Sequence, residues 1–476
     1  MLFSSPVFLF IFLLGLSILY WLTPGIKLKN VLLLLTSLLF YAWGEILVVF
    51  LMIFSVFINY LLALWIDWAD KSERPRSRKG GLWITVIFNI GMLGVFKYAA
   101  FFIESLNAVS GLDISVPMIG LPIGISFFTF QAMSYVIDIY RKSTPVQKNF
   151  PNLLLYISLF PQLIAGPIIK YHDVAEQINE RKVTVESLAN GIRRFIIGLS
   201  KKVLIANTLG QLAKSVFELA PSSLNITLAW VGAISYCVQI YFDFSGYSDM
   251  AIGLGQMFGF DFMENFNFPY ISKSIKEFWR RWHISLSSWF REYLYIPLGG
   301  NRKGLVRQGI NMGIVFLCTG LWHGAQWTFV IWGIFHGFFL ILETYKVLKP
   351  DKWFRPFRHI YTLLVVSVGF TIFNATSMSH AFSFIKEMFT GFKFEAIHAS
   401  LFGELISPSK LTAIIFAIIA STPIVKFTHN NLIKNGNTKL FSILNASTYV
   451  VTIILLVLCI LTLSASTFNP FIYFRF

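Results

Sequence analysis

Three histidines, His283, His323 and His336, fall within 54 residues of one another among long apolar runs. The other five, His172, His359, His380, His398 and His429, lie in or near polar stretches, where a histidine needs no special explanation. An ionisable side chain in an apolar segment is costly to bury and marks a functional position by default. Imidazole titrates near neutrality, so it takes and returns a proton readily, as a general base must. His323 stands in GLWHGAQWTF, where Gly324 and Ala325 leave room for a ligand or another helix beside the ring. Two roles fit that setting: a base, or a neutral imidazole making an interhelical hydrogen bond. His283, in RRWHISLS, is either a surface histidine on an amphipathic helix or a second polar group dipping into a cavity. His336 follows His323 by 13 residues. On one straight helix that spacing puts the two about 220° apart, so His336 reads as a packing residue.

Asp243, Ser245 and Asp249 in YFDFSGYSDMAIG form a polar cluster at the end of an apolar run. They either hold the arginine-rich stretch by ion pairs or line a polar channel, and support is the plainer reading. Gly246, Gly253, Gly255 and Gly259 read as close-packing positions in a helical bundle. No GxSxG, P-loop or HExxH motif is present, so covalent-serine and metal chemistry have no support. Cys237, Cys318 and Cys459 lie in apolar segments without pairable spacing, which predicts neither a disulfide framework nor a zinc site.

The elements that must position these residues are membrane helices. Of 476 residues 56% are hydrophobic and only 13% charged, about half the charge of a soluble domain. Mean hydropathy is +0.67. Twelve apolar segments are predicted to span: Val7–Leu22, Val31–Trp43, Ile46–Ile66, Leu82–Leu106, Leu121–Ile139, Ile192–Leu219, Leu228–Tyr247, Gly309–Leu321, Trp327–Leu342, Ile360–Phe373, Leu411–Phe427 and Thr448–Leu463. The second and the sixth fit least well; the sixth carries Lys201 and Lys202 near its middle. Val7–Leu22 lacks a basic flank and a small-residue cleavage site, so it is expected to stay as a first span. With the N-terminus outside, 33 of the 39 lysines and arginines fall in inside loops, as the positive-inside bias requires. The net charge of +16 therefore points to anionic lipid headgroups and not to nucleic acid.

Two inside-facing stretches are not ordinary loops. Phe150–Lys170 is apolar but broken by Pro151, Pro161, Gly166 and Pro167, as a re-entrant segment would be. Phe278–Gly300 mixes arginines with aromatics and predicts an amphipathic helix lying at the membrane surface and dipping inward. The whole chain, 1–476, is expected to form one membrane-embedded domain with its core at about 121–345.

Several stretches, in order along nearly the whole chain, resemble the membrane-bound O-acyltransferases, in their bacterial polysaccharide (alginate-type) O-acetylase branch. They are LPIGISFFTFQAMSYVIDIYR (121–141), LFPQLIAGPI (159–168), FDFSGYSDMAIGLGQMFGF (242–260), NFNFPYISKSIKEFWRRWHISLSSWFREYLYIPLGGNR (265–302), GLWHGAQWTFVIWGIFHG (320–337) and the terminal PFIYFRF (470–476). The resemblance implies an all-α polytopic fold, a ring of about 11–12 transmembrane helices with re-entrant segments around a central tunnel. It puts His323 on the family's catalytic histidine. His283 falls on a second signature position, which is commonly asparagine in the wider superfamily. It also implies a bacterial inner-membrane location, a cytoplasmic thioester donor and no bound cofactor. Acetyl-CoA is the expected donor, with Arg280, Arg281 and Arg291 drawing its phosphates, joined by Arg302 and Lys303. His323 would take the proton from an acceptor hydroxyl, and His283 or a neighbour would donate a hydrogen bond to the developing oxyanion. The acceptor side would be a polysaccharide together with an extracytoplasmic acetyltransferase partner. Two other readings are a D-alanyl transfer protein of teichoic acid modification and a transporter of acyl groups or glycans that does no chemistry.

The charge partition is testable. A reporter that works only outside the cytoplasm is expected to be active when fused after Phe476 and silent when fused at Arg76. The reverse pattern would invert the orientation and the donor side with it.

Overall fold

The computed structural model describes residues 1–425, 427, 428, 431, 438–465 and 468–470. Lys426, His429, Lys434 and the terminal Phe471–Phe476 lie outside the described residues. No strand occurs among the described residues, and all twelve predicted segments are at least partly helical. In chain order the helices are α1 (Phe8–Leu22), α2 (Ile26–Ala42), α3 (Ile46–Lys71), α4 (Pro75–Ser110), α5 (Ile125–Tyr140), α6 (Phe150–Ser158), α7 (Phe160–Leu163), α8 (Tyr171–Asn179), α9 (Val185–Ser200) and α10 (Asn207–Phe217). They continue as α11 (Ile226–Met257), α12 (Ile275–Arg281), α13 (Ile284–Phe290), α14 (Gly304–His323), α15 (Trp327–Thr344), α16 (Arg355–Asn374), α17 (Met378–Thr390), α18 (Ala396–Leu405), α19 (Pro408–Ala420) and α20 (Thr438–Ala465).

Among the described residues seven helices are long and apolar enough to cross a bilayer, or eight if α18 and α19, bent by 72°, make one broken span. The shortfall against twelve has a geometric cause. Helices α1, α2 and α5 have fewer than the ~20 residues that roughly 30 Å of hydrocarbon demands. Between α9 and α10 the chain winds into a π turn at Lys201–Ala206. There the Lys202 ammonium is buried against Asp243, 2.6 Å away.

The chain forms two compact units, 1–194 with 250–263, and 195–249 with 264–476. In the first, α3 and α4 are joined by a buried amide pair, Asn89 Nδ2 to Asn59 Oδ1 at 2.8 Å, the kind of polar link that replaces the hydrophobic effect between helices in lipid. The predicted re-entrant stretch is two short helices, α6 and α7, broken at Leu159 and buried almost throughout. Arg181 ties the unit together, donating from Nε to the Phe258 carbonyl at 3.0 Å and from Nη1 to Asn30 Oδ1 at 2.7 Å.

The second unit carries all three histidines. Its arginine–aromatic stretch dips inward as expected but is not one continuous helix. It breaks at Trp282–His283 into α12 and α13, then winds into a π turn at Arg291–Tyr295. Phe278, Trp282, His283, Leu286, Trp289 and Phe290 are all buried. Seven residues are too few for a stable isolated helix, so neighbours hold α12. Ser274 caps its start by accepting from the Glu277 N–H at 3.0 Å. The Glu343 carboxylate of α15 accepts from the N–H groups of Ile275 (2.7 Å) and Lys276 (2.9 Å), where the helix dipole favours negative charge.

Helices α14 and α15 form a hairpin around the tight turn Gly324–Gln326. The backbones approach so closely that a Cβ on Gly333 would lie 2.3 Å from the Phe316 carbonyl oxygen, and one on Gly320 would lie 2.4 Å from that of Phe329. Gly333→Val is therefore expected to force the hairpin apart, an overpacking of at least about 1–3 kcal/mol. The measurement is the melting temperature of detergent-solubilised protein; an unchanged value would show that the hairpin yields without cost.

Candidate functional site

His323 is the last residue of α14, and its ring is 4% exposed. Three aromatic rings enclose it: Trp322 at 5.1 Å, Trp332 of α15 at 5.0 Å and Phe373 of α16 at 5.2 Å, each close to perpendicular. The Trp322 ring also touches His283, 5.8 Å away. One indole thus lies against both histidines that the sequence singled out.

His283 is fully buried in the break between α12 and α13, at φ +44° and ψ +56°. A non-glycine residue in this left-handed region costs about 1–3 kcal/mol and persists only where its surroundings enforce it. Asn265 does the enforcing. Its carbonyl accepts the Ile284 N–H at 2.9 Å. Its side-chain Oδ1 lies 3.2 Å from His283 Nδ1 and accepts from the Ser285 N–H (3.2 Å) and Oγ (2.9 Å). Because a backbone N–H can only donate, the atom facing Ser285 is the amide oxygen. His283 Nδ1 must therefore carry the proton.

α12 and α13 lie outside the membrane-spanning helices, and burial pushes the His283 pKa down to about 3. The ring is neutral, so Nε2 presents a lone pair. That atom has no hydrogen-bond partner among the described residues. The oxyanion-donor role expected of His283 needs an N–H at this position, and this tautomer has none there. The ring instead offers an acceptor.

His336 lies in α15, fully buried. The straight-helix calculation fails because the chain turns back at Gly324, so His323 and His336 belong to antiparallel helices. They touch opposite sides of one contact chain: the Trp332 ring is 5.0 Å from His323 and 5.2 Å from His336.

Of the three arginines, Arg280 and Arg291 line a cavity of about 670 Å³ together with Lys276, Trp279, Tyr295 and Thr319. Thr319 is one helical turn before His323. Arg281 does not line it; its guanidinium is held by Glu277 at 2.9 Å and the Asn267 carbonyl at 3.0 Å. A second cavity, of about 370 Å³, is lined by Lys214, Glu218, Gln239, Gln326, Phe373 and His380 among others. Phe373 is the ring that touches His323. Asp243 and Ser245 are buried in α11, in neither cavity. Asp243 pairs with Lys202, whose ammonium also donates to the Pro470 carbonyl. Sequence reading missed Asn265, Trp279, Trp332 and Phe373, which reach the site only through tertiary contacts and have no local spacing to betray them.

The model of the membrane-bound O-acyltransferase family matches residues 38–385. The chain belongs to that family. It is a multi-pass membrane O-acyltransferase, similar over its full length, at 40% identity, to a probable alginate O-acetylase of Azotobacter vinelandii that it also covers in full. It is 36% identical to a peptidoglycan O-acetyltransferase of Helicobacter pylori, over 82% of this chain and 80% of the relative. A teichoic acid D-alanyltransferase of Bacillus subtilis matches at 29%, over 54% and 70%.

The Asn265 oxygen gives the acyltransferase a testable weak point. Asn265→Leu buries the His283 and Ser285 donors without an acceptor, at about 1–3 kcal/mol for each unmet group. The expected outcome is a lowered melting temperature together with loss of acyl transfer. Full activity at normal stability would show that His283 does not need this anchor.

Proposed function

We propose that the protein moves an acetyl group from a cytoplasmic thioester, acetyl-CoA, to a hydroxyl on the extracytoplasmic side, for O-acetylation of a polysaccharide of the alginate class. One observation carries this reading: His323 lies close to two cavities, one bearing Arg280, Arg291 and Lys276 and reaching Thr319 a turn before it, the other lined by Phe373, whose ring touches it, and by a mixed set that includes Gln239, Gln326, Lys214 and Glu218. Cationic side chains suit a donor rich in phosphate, and the positive-inside bias supports a cytoplasmic position for them. The full-length similarity to an alginate O-acetylase supports acetyl over D-alanyl transfer. It also supports a polysaccharide as final acceptor, with a separate extracytoplasmic acetyltransferase finishing the modification.

In the proposed step the acceptor oxygen attacks the thioester carbonyl carbon while a ring nitrogen of His323 takes its proton. The tetrahedral intermediate collapses, the carbon–sulfur bond breaks, and the same proton passes to the leaving sulfur. The products are an O-acetyl ester and the free thiol. His283, with a lone pair at Nε2, accepts a hydrogen bond and so orients the nucleophile's side of the site. Positioned base catalysis of this kind contributes about 10²–10⁴ in rate.

His323→Ala is expected to abolish acetylation at normal protein level, and His323→Gln to stay inactive, since an amide is not basic near neutrality. Acetyl content of the glycan, normalised to membrane protein, is the measurement; a glutamine variant near wild type would return His323 to a packing role. Separately, Arg280→Ala is expected to raise the donor KM with little change in kcat, as loss of uniform binding does. Arg281→Ala is expected to lower protein level instead, because its partners are structural. A drop in kcat alone for Arg280→Ala, at saturating acetyl-CoA, would remove the donor role.

A further inference from the structure

The neutral tautomer of His283 leaves the oxyanion of the proposed reaction without the donor that sequence suggested. Two buried indoles lie in contact between the arginine-bearing cavity and His323. Trp279 of α12 lines the arginine-bearing cavity, next to Arg280, and is 8% exposed. Its ring touches Trp332 at 5.6 Å and His336 at 5.3 Å. Trp332, 1% exposed, in turn touches His323 at 5.0 Å, nearly perpendicular. The pair thus leads from the donor cavity to the base. Neither Nε1 has a hydrogen-bond partner among the described residues, nor has either nitrogen of His336, which packs against both indoles. Buried indole N–H groups ordinarily find an acceptor. Several mutually touching rings that all fail to do so mark a place kept for a group the protein does not itself supply.

We propose that the indole N–H groups of Trp279 and Trp332 hold the thioester carbonyl oxygen and stabilise it as it becomes an oxyanion. Indole nitrogen is a donor only, so the pair cannot invert its role as an imidazole can. Enclosure by aromatic rings keeps the local dielectric low, which strengthens each bond to developing charge. In the step above, the carbonyl oxygen gains the electron pair when the acceptor oxygen attacks. Both N–H groups keep their protons, the pair returns as the carbonyl reforms, and the proton on His323 leaves with the sulfur. His336 acts as a positioning residue, wedged so tightly that a Cβ on Gly369 of α16 would lie 2.4 Å from its Nε2. This inference rests on the acyl-transfer reading.

The test replaces the N–H while keeping the ring. Trp279→Phe, Trp332→Phe and, at each position, 3-benzothienylalanine, with sulfur in place of the N–H, are compared with wild type. Inverted membrane vesicles supplied with radiolabelled acetyl-CoA report transfer to acceptor. Each loss of an N–H is expected to lower kcat about 10²-fold, the cost of one oxyanion donor. The donor KM should change by less than about threefold, at unchanged protein level. The benzothienylalanine forms keep the shape and should show the same loss. Near wild-type kcat in both benzothienylalanine forms, or a loss confined to KM, would overturn the proposal. His323→Ala is assayed alongside. Inactivity there with active tryptophan variants sinks only this inference, whereas an active His323→Ala sinks the acyl-transfer reading and this inference with it.

Discussion

A single oxygen, Oδ1 of Asn265, meets His283 Nδ1 and two donors of Ser285, and the reactive region depends on it. A helix that breaks inside a protein core exposes backbone N–H and C=O groups that must be met. The stretch from Ser274 to Tyr295 breaks at His283, and its groups are met from outside: Glu343 and Ser274 at the start of α12, the Asn265 carbonyl and side chain at the start of α13. The Asn267 N–H adds one more bond, to the Arg281 carbonyl at 2.9 Å. What results is a histidine with one nitrogen committed to a fixed partner and the other left bare. Proton position, ring orientation and backbone strain all follow from that one acceptor.

Around this anchor the second unit uses aromatic rings where a soluble enzyme would use polar side chains. Trp322, Trp332 and Phe373 meet His323 nearly edge to face, the geometry that the ring quadrupole favours. Rings of this size have few rotamers, so the His323 ring is held by shape. The same rings exclude water, which on the proposed reaction would otherwise compete for the thioester. The glycines at 320 and 333 make the arrangement possible, since only without a Cβ do α14 and α15 approach closely enough for Trp332 to reach back to the end of α14.

Much of this was legible in sequence, and the boundary of legibility is physical. Hydropathy, a one-dimensional quantity, located twelve apolar segments that are all at least partly helical; among the described residues seven or eight are long enough to cross a bilayer, while α1, α2 and α5 are shorter. His323 was legible because an ionisable group in an apolar run stands out locally. Arg280 and Arg291 were legible as charge near membrane, but Arg281 was grouped with them because sequence does not show which face of a seven-residue helix turns toward Glu277. Composition suggested one amphipathic helix dipping inward at Phe278–Gly300; the large aromatics gain by burial and carry the arginines to a cavity wall. Asn265 and Trp332 were illegible as site residues, for their roles exist only in contacts across 18 or more residues or between two helices.

The two cavities follow from the same economy. On the proposed reaction a phosphate-bearing donor cannot enter hydrocarbon, and a glycan hydroxyl on the other face cannot cross it. The reacting groups must therefore meet at depth while both carriers stay in water. Helix α14 lines the cationic cavity from Gln308 to Thr319, and its last residue is His323, the base of the proposed reaction. Beyond that residue the turn and Phe329 open onto the second cavity. Only the acetyl thioester end of a donor is small and neutral enough to travel from Arg280 along Trp279 to the end of that helix, so on the proposed reaction the headgroup's charge selects the side of entry. On that reading the packed indoles then select what is handed over. A larger or charged acyl group would have to separate Trp279 from Trp332, which Phe316, 5.1 Å from Trp279, and His336 hold in place. On this argument the size limit on the acyl group resides in the ring cluster and not in the arginines, and the donor's identity and the acyl group's identity are read at two separable places.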